Sequence, residues 1–97
     1  KMIKNNKIKM IEEAVKFAED LLLILENKNT NETISNIILP CLHTAKTYVE
    51  VKMFESPEIK INLSKAAIET SYLTDRNPKY APLYSKIRVL LEEFSQI

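Results

Sequence analysis

The sequence predicts an all-α protein, a four-helix up-down-up-down antiparallel bundle whose second helix is kinked at a proline. Three observations carry this expectation. Four stretches place apolar residues at steps of three and four, the spacing of a single buried helix face. Short polar segments with capping residues separate them, and short connections make successive helices antiparallel neighbours. The 97 residues include no glycine. Left-handed turns and phosphate-cradling loops normally use glycine. The P-loop, the dinucleotide fingerprint and the G-x-S-x-G elbow are therefore absent as motifs. An all-β fold would also lack its turn residues.

The bulk figures point to one helical domain over residues 1–97. A chain of this size buries roughly 60–70% of its unfolded surface, enough for one core without staples. Apolar residues make up 45% and charged residues 28%, the balance of a soluble globular protein. The longest apolar run, Leu21 to Leu25, is five residues. A membrane span needs about 20, so no membrane is expected. The basic start leads into an amphipathic segment and not into the apolar core of a signal peptide. A single cysteine forms no internal disulfide, so the expected compartment is the reducing cytoplasm. Two sequons, Asn31-Glu32-Thr33 and Asn62-Leu63-Ser64, then read as chance.

The formal charge is +1, so no global field recruits nucleic acid or anionic lipid. Its distribution is uneven. Lys1, Lys4, Lys7 and Lys9 form a basic start, and residues 1–7 are expected to be a frayed arm. The following stretch is acidic through Glu12, Glu13, Glu19, Asp20 and Glu26.

Each helix has its own justification. From Ile8 to Leu25, one apolar line runs Ile8, Ile11, Val15, Ala18, Leu22 and Leu25. A second, Met10, Ala14, Phe17, Leu21 and Ile24, lies beside it. Together they cover about half the circumference, wider than the ~100° stripe of an ordinary surface helix. Asn27 to Asn31 is a loop by composition. Asn31 or Thr30 is then the expected N-cap of a helix reaching Phe54, with Glu32 near its positive end. Its buried face is Ile34, Ile37, Ile38, Cys41, Leu42, Ala45, Tyr48 and Val49. Pro40 falls inside it, where it removes the bond to the Asn36 carbonyl at a cost of ~3 kcal/mol. The apolar period continues through Pro40, which favours a kink. The competing possibility is a short turn over 32–39 and a new helix with Pro40 at its first position.

Ser56-Pro57-Glu58 signals the third helix: cap, first-turn proline, acid at the positive end. This helix should end near Leu73 to Asp75. It carries two apolar lines on nearly opposite sides. One is Ile59, Leu63, Ala66, Thr70 and Leu73; the other is Ile61, Ile68 and Tyr72. Asn77 can cap the fourth helix with Pro78 at its first position, or the helix settles only at Pro82. Its pattern is Tyr80, Leu83, Tyr84, Ile87, Leu90, Leu91, Phe94 and Ile97. The segment Asn77 to Phe94, with Pro78-Lys79-Tyr80-Ala81 before a Tyr/Leu pattern, resembles the opening of a tetratricopeptide repeat. The resemblance covers one helix of one repeat. It lacks the internal glycine and the 34-residue period of that family. It implies an alternative architecture, a fragment of a helical solenoid.

No catalytic constellation stands out. Cys41 lies on the core line, where burial makes a thiol inert. His43 is about 200° further round the helix and should face solvent. One Cys and one His do not make a zinc site. The di-metal bundle signature needs Glu-x-x-His, and the residue three before His43 is Pro40. Glu12-Glu13 and Glu92-Glu93 fall on polar faces. No cofactor and no metal are expected.

The function expected is therefore a non-enzymatic helical protein–protein interaction or scaffold module that self-associates as a homodimer. Its candidate interface is Met10, Phe17, Ile24, Ile61, Ile68 and Tyr72, apolar residues beyond the one stripe a bundle helix needs. A first alternative is a small nucleic-acid-associated subunit, with Lys1, Lys4, Lys7 and Lys9 contacting phosphates. A second is a small enzyme with an unrecognised site.

Overall fold

The computed structural model describes residues 2–24 and 28–95, with side chains from Lys7 onward. Leu25, Asn27 and Ile97, which the sequence pattern assigns to helix or loop, lie outside the described residues. The elements are α1 (Met2–Ile24), α2 (Lys28–Thr33), a π-turn (Ile34–Ile38), α3 (Leu39–Glu50), α4 (Pro57–Arg76), a 3-10 turn (Pro78–Tyr80) and α5 (Ala81–Ser95). No strand occurs among the described residues. The run from α2 through α3 is continuous, so the bundle has four rods.

The π-turn is how the second rod accommodates Pro40. Without an N–H, Pro40 donates nothing to Asn36, and its ring crowds that carbonyl. The turn just before it is widened: the Leu39 N–H donates to the Ile34 carbonyl, five residues back. Such π-bulges are a known cause of helix bending. The widened turn keeps the apolar period continuous, and both Ile34 and Ile38 are fully buried. The chain does not break at 32–39.

The expected loop over Asn27 to Asn31 is corrected. Lys28 onward is helical, so Thr30 and Asn31 lie inside α2 and not at its start. No residue of α2 is buried. Apolar periodicity therefore had nothing to register there. The hydroxyl of Thr33 donates to the Asn29 carbonyl at 3.1 Å, a local bond compatible with helix.

The other end of this rod is also shorter than expected, stopping at Glu50 and not at Phe54. Lys52 adopts a left-handed φ of 65°. The Lys52 N–H donates to the Val49 carbonyl at 3.0 Å, and the Met53 N–H to the Tyr48 carbonyl at 2.9 Å. This pair of bonds is a Schellman stop, normally built on glycine. The caps of α4 and of the last turn agree with the sequence signals. Ser56 Oγ accepts from the Glu58 N–H at 3.2 Å. Asn77 Oδ1 accepts from the Lys79 N–H at 3.0 Å, and the 3-10 turn leads into α5 at Ala81.

The rods close into a square. α1 packs on α3 and α5, and α4 packs on α3 and α5. Contact between the first and last rods excludes the open solenoid implied by the tetratricopeptide resemblance. The radius of gyration is 12.8 Å, close to the ~12–13 Å of a compact chain of this length. Ile11, Ala14 and Ala18 of α1 share one buried core with Ile38, Leu42 and Ala45, with Ile59, Leu63 and Ala66, and with Leu83, Ile87 and Leu90. Thr70 is fully buried, with its hydroxyl donating to the Ala66 carbonyl at 2.6 Å. A buried hydroxyl needs such a partner. The Lys46 ammonium, 3.8 Å from both Glu12 and Glu50, ties α3 to α1.

The Lys52 geometry generates a prediction. A side chain in the left-handed region costs roughly 1–2 kcal/mol, partly offset in a glycine variant by the greater freedom of its unfolded chain. Lys52→Gly should stabilise the fold by up to ~1 kcal/mol, and Lys52→Val should destabilise it by at least that much. Urea unfolding of the two variants checks the order; Lys52→Gly less stable than the wild type would contradict it.

Candidate interaction surface

α4 presents two opposed apolar faces. At about 100° per residue, Ile59, Leu63, Ala66, Thr70 and Leu73 converge on one side. These are buried. Ile61, Ile68 and Tyr72 lie within about 40° of one another on the other side. They are 56%, 53% and 58% exposed. Their line spans about 16 Å of helix at 1.5 Å per residue. Lys65 stands exposed between Ile61 and Ile68.

On the flank towards α5, Ile68 forms the rim of a shallow groove of about 250 Å³. Ser64, Ala67 and Ser71 line the α4 side; Tyr84, Arg88 and Leu91 line the α5 side. Tyr84 and Leu91 are half-buried and pack on the core. Sequence patterning places them on the core stripe of α5. Their position in a groove depends on how α5 sits against α4, which no local spacing encodes.

The candidate residues on α1 divide. Met10 and Phe17 are half-buried and packed against the core. The Lys86 ammonium of α5 stands 5.8 Å from the centre of the Phe17 ring. Ile24, at the end of α1, is 67% exposed. α1 and α4 sit diagonally in the bundle, so Ile24 is not continuous with the α4 face. Leu23, Val51, Met53 and Val89 are further exposed apolar residues. Val51 and Met53 stand in the segment after α3, outside the expected apolar face of the second rod.

The lysines also divide. Where a frayed arm was expected, α1 begins at Met2. Lys7 is 6% exposed, with its ammonium 5.1 Å from the centre of the Phe94 ring. Its stem is buried at the closed end of the bundle, and its charge lies against a ring face, a favourable cation–π arrangement. Lys7 thus packs against Phe94 and differs from the exposed Lys9. Lys1 and the Lys4 side chain lie outside the described residues.

Cys41 is buried on α3, and His43 is exposed. Burial pushes the Cys41 thiol above its ordinary value of 9.0; the positive charge of Lys65 opposes this and the negative charge of Glu69 adds to it. Among the described residues, no group of three or more His, Cys, Asp or Glu could hold a metal ion. No helix among them is long and apolar enough to cross a membrane.

Compared with known proteins, the chain matches no family model, no curated protein and no solved structure.

The raised thiol has a testable consequence. The unfolded thiol ionises near 9.0, and the folded one ionises only at higher pH. Its contribution is therefore complete below pH 9.0 and is lost as pH rises beyond it. The loss of stability above that pH should be smaller in Cys41→Ala than in the wild type, as read by urea unfolding across the range. Equal losses would contradict the assignment. At neutral pH, Cys41→Ser should cost ~1–3 kcal/mol for an added hydroxyl in an apolar site. His43→Ala should change stability by less than ~0.5 kcal/mol.

Proposed function

We propose that this chain is a non-enzymatic helical protein–protein interaction module that self-associates through the outward face of α4. The observation that carries the proposal is the alignment of Ile61, Ile68 and Tyr72 opposite a complete core face. Single exposed apolar residues are ordinary, but aligned ones make a patch, and patches mark contact sites. Aromatic residues such as Tyr72 are enriched at interface cores. A bundle helix needs only one apolar face to hold the fold. The outer line of α4 is surplus to folding, and its occupant is another protein surface. A second copy is the simplest such occupant, because two-fold contacts use the same patch on both molecules.

Sedimentation equilibrium tests this. The wild type should be larger than a monomer at tens of micromolar. Ile68→Glu should be monomeric with its helical circular dichroism and unfolding midpoint nearly unchanged, because the site is exposed. A monomeric wild type, or an Ile68→Glu chain that unfolds, would refute the assignment of this face to self-association.

A further inference from the structure

We infer that the second copy docks antiparallel, α4 against α4, about a two-fold axis near residue 67. The arrangement rests on self-association through this face. The charges beside the apolar line fix the direction. Glu58, Lys65, Glu69 and Arg76 lie along the flank of α4 nearer α3, within about 40–80° of Ile61. Lys65 and Glu69 both act electrostatically on Cys41 of α3, which places this flank. Glu58, Lys65 and Arg76 are exposed and Glu69 is half-buried. Among the described residues, none of the four forms an ion pair within the chain.

Their signs along the helix run minus, plus, minus, plus. Reversing the helix gives plus, minus, plus, minus, so an antiparallel copy meets the opposite sign at every position. A two-fold axis near residue 67 sets Glu58 against Arg76 of the second copy. It also sets Lys65 against Glu69 of the second copy, and each pair occurs twice by symmetry. A parallel two-fold pair would instead set this flank against the opposite flank of the second copy, where Ser64 and Ser71 stand, and leave the four charges without opposite partners. The apolar line obeys the same axis. Ile61 falls beside Tyr72 of the second copy, and the two Ile68 side chains meet across the axis at the mouth of the α4–α5 groove. The antiparallel helix dipoles also attract.

Charge reversal at the inner pair tests the arrangement by sedimentation equilibrium at low salt. Lys65→Glu and Glu69→Lys should each weaken dimerisation about tenfold, since each turns two symmetric attractions into repulsions. The double variant Lys65→Glu/Glu69→Lys restores both pairs with their signs exchanged and should recover to within about threefold of the wild type. High salt should shrink the differences. If a reversal lowers the helical circular dichroism, Lys65→Gln and Glu69→Gln take its place, with weakening of about threefold expected. A wild type that stays monomeric refutes both self-association and this arrangement. A wild-type dimer indifferent to the single changes, or a double variant that stays weak, refutes the antiparallel arrangement alone and leaves self-association standing.

Discussion

Four helices close around one apolar seam, and their connections are made without glycine. Ile11, Leu42, Leu63 and Ile87, one from each rod, are fully buried. Each contributes about 1.5–3 kcal/mol by leaving water. The ion pairs are weaker: exposed pairs such as Lys16–Asp20 contribute about 0–1 kcal/mol. The seam therefore decides the fold. With no glycine, the sharp reversals fall to residues less suited to them. Lys52 takes the left-handed position after α3. Ser56 then caps α4, and Asn77 caps the 3-10 turn that opens into α5.

The same seam explains why Pro40 does not divide the second rod. Ile34 and Ile38 before it and Cys41, Leu42 and Ala45 after it all belong to the core. Breaking the helix would move one group or the other out of register, at a cost of several buried side chains. Widening one turn costs less. The π-turn is the local deformation that keeps the apolar face continuous while removing the carbonyl clash. Cys41 follows from that continuity: it is held in the core next to the proline, with its thiol kept neutral.

Core faces were legible because they repeat at three and four, and cap signals such as Ser56-Pro57-Glu58 were legible because they are local. What escaped was set by distant partners or by no partner at all. α2 buries nothing, so its polar residues looked like loop. Lys7 looked like part of an arm because its burial depends on Phe94, at the far end of the chain. Met10 and Phe17 looked surplus because α1 meets two neighbours, and its second apolar line, adjacent to the first, turns towards α5. The surplus on α4 is different in kind. Its second line is opposite the first, and no neighbour in the bundle can reach it. The two cases read alike in the sequence as extra apolar residues and are separated only by the angle between the lines.

α4 thus has one face buried in the seam and an opposite apolar face exposed, the face we propose for a second copy. Hydroxyl-radical footprinting across a concentration series tests that division directly. As concentration rises, labelling of Ile61, Ile68 and Tyr72 should fall while that of Val51, Met53 and Leu23, exposed elsewhere on the molecule, stays constant. Labelling of the α4 residues that does not change with concentration would contradict the account.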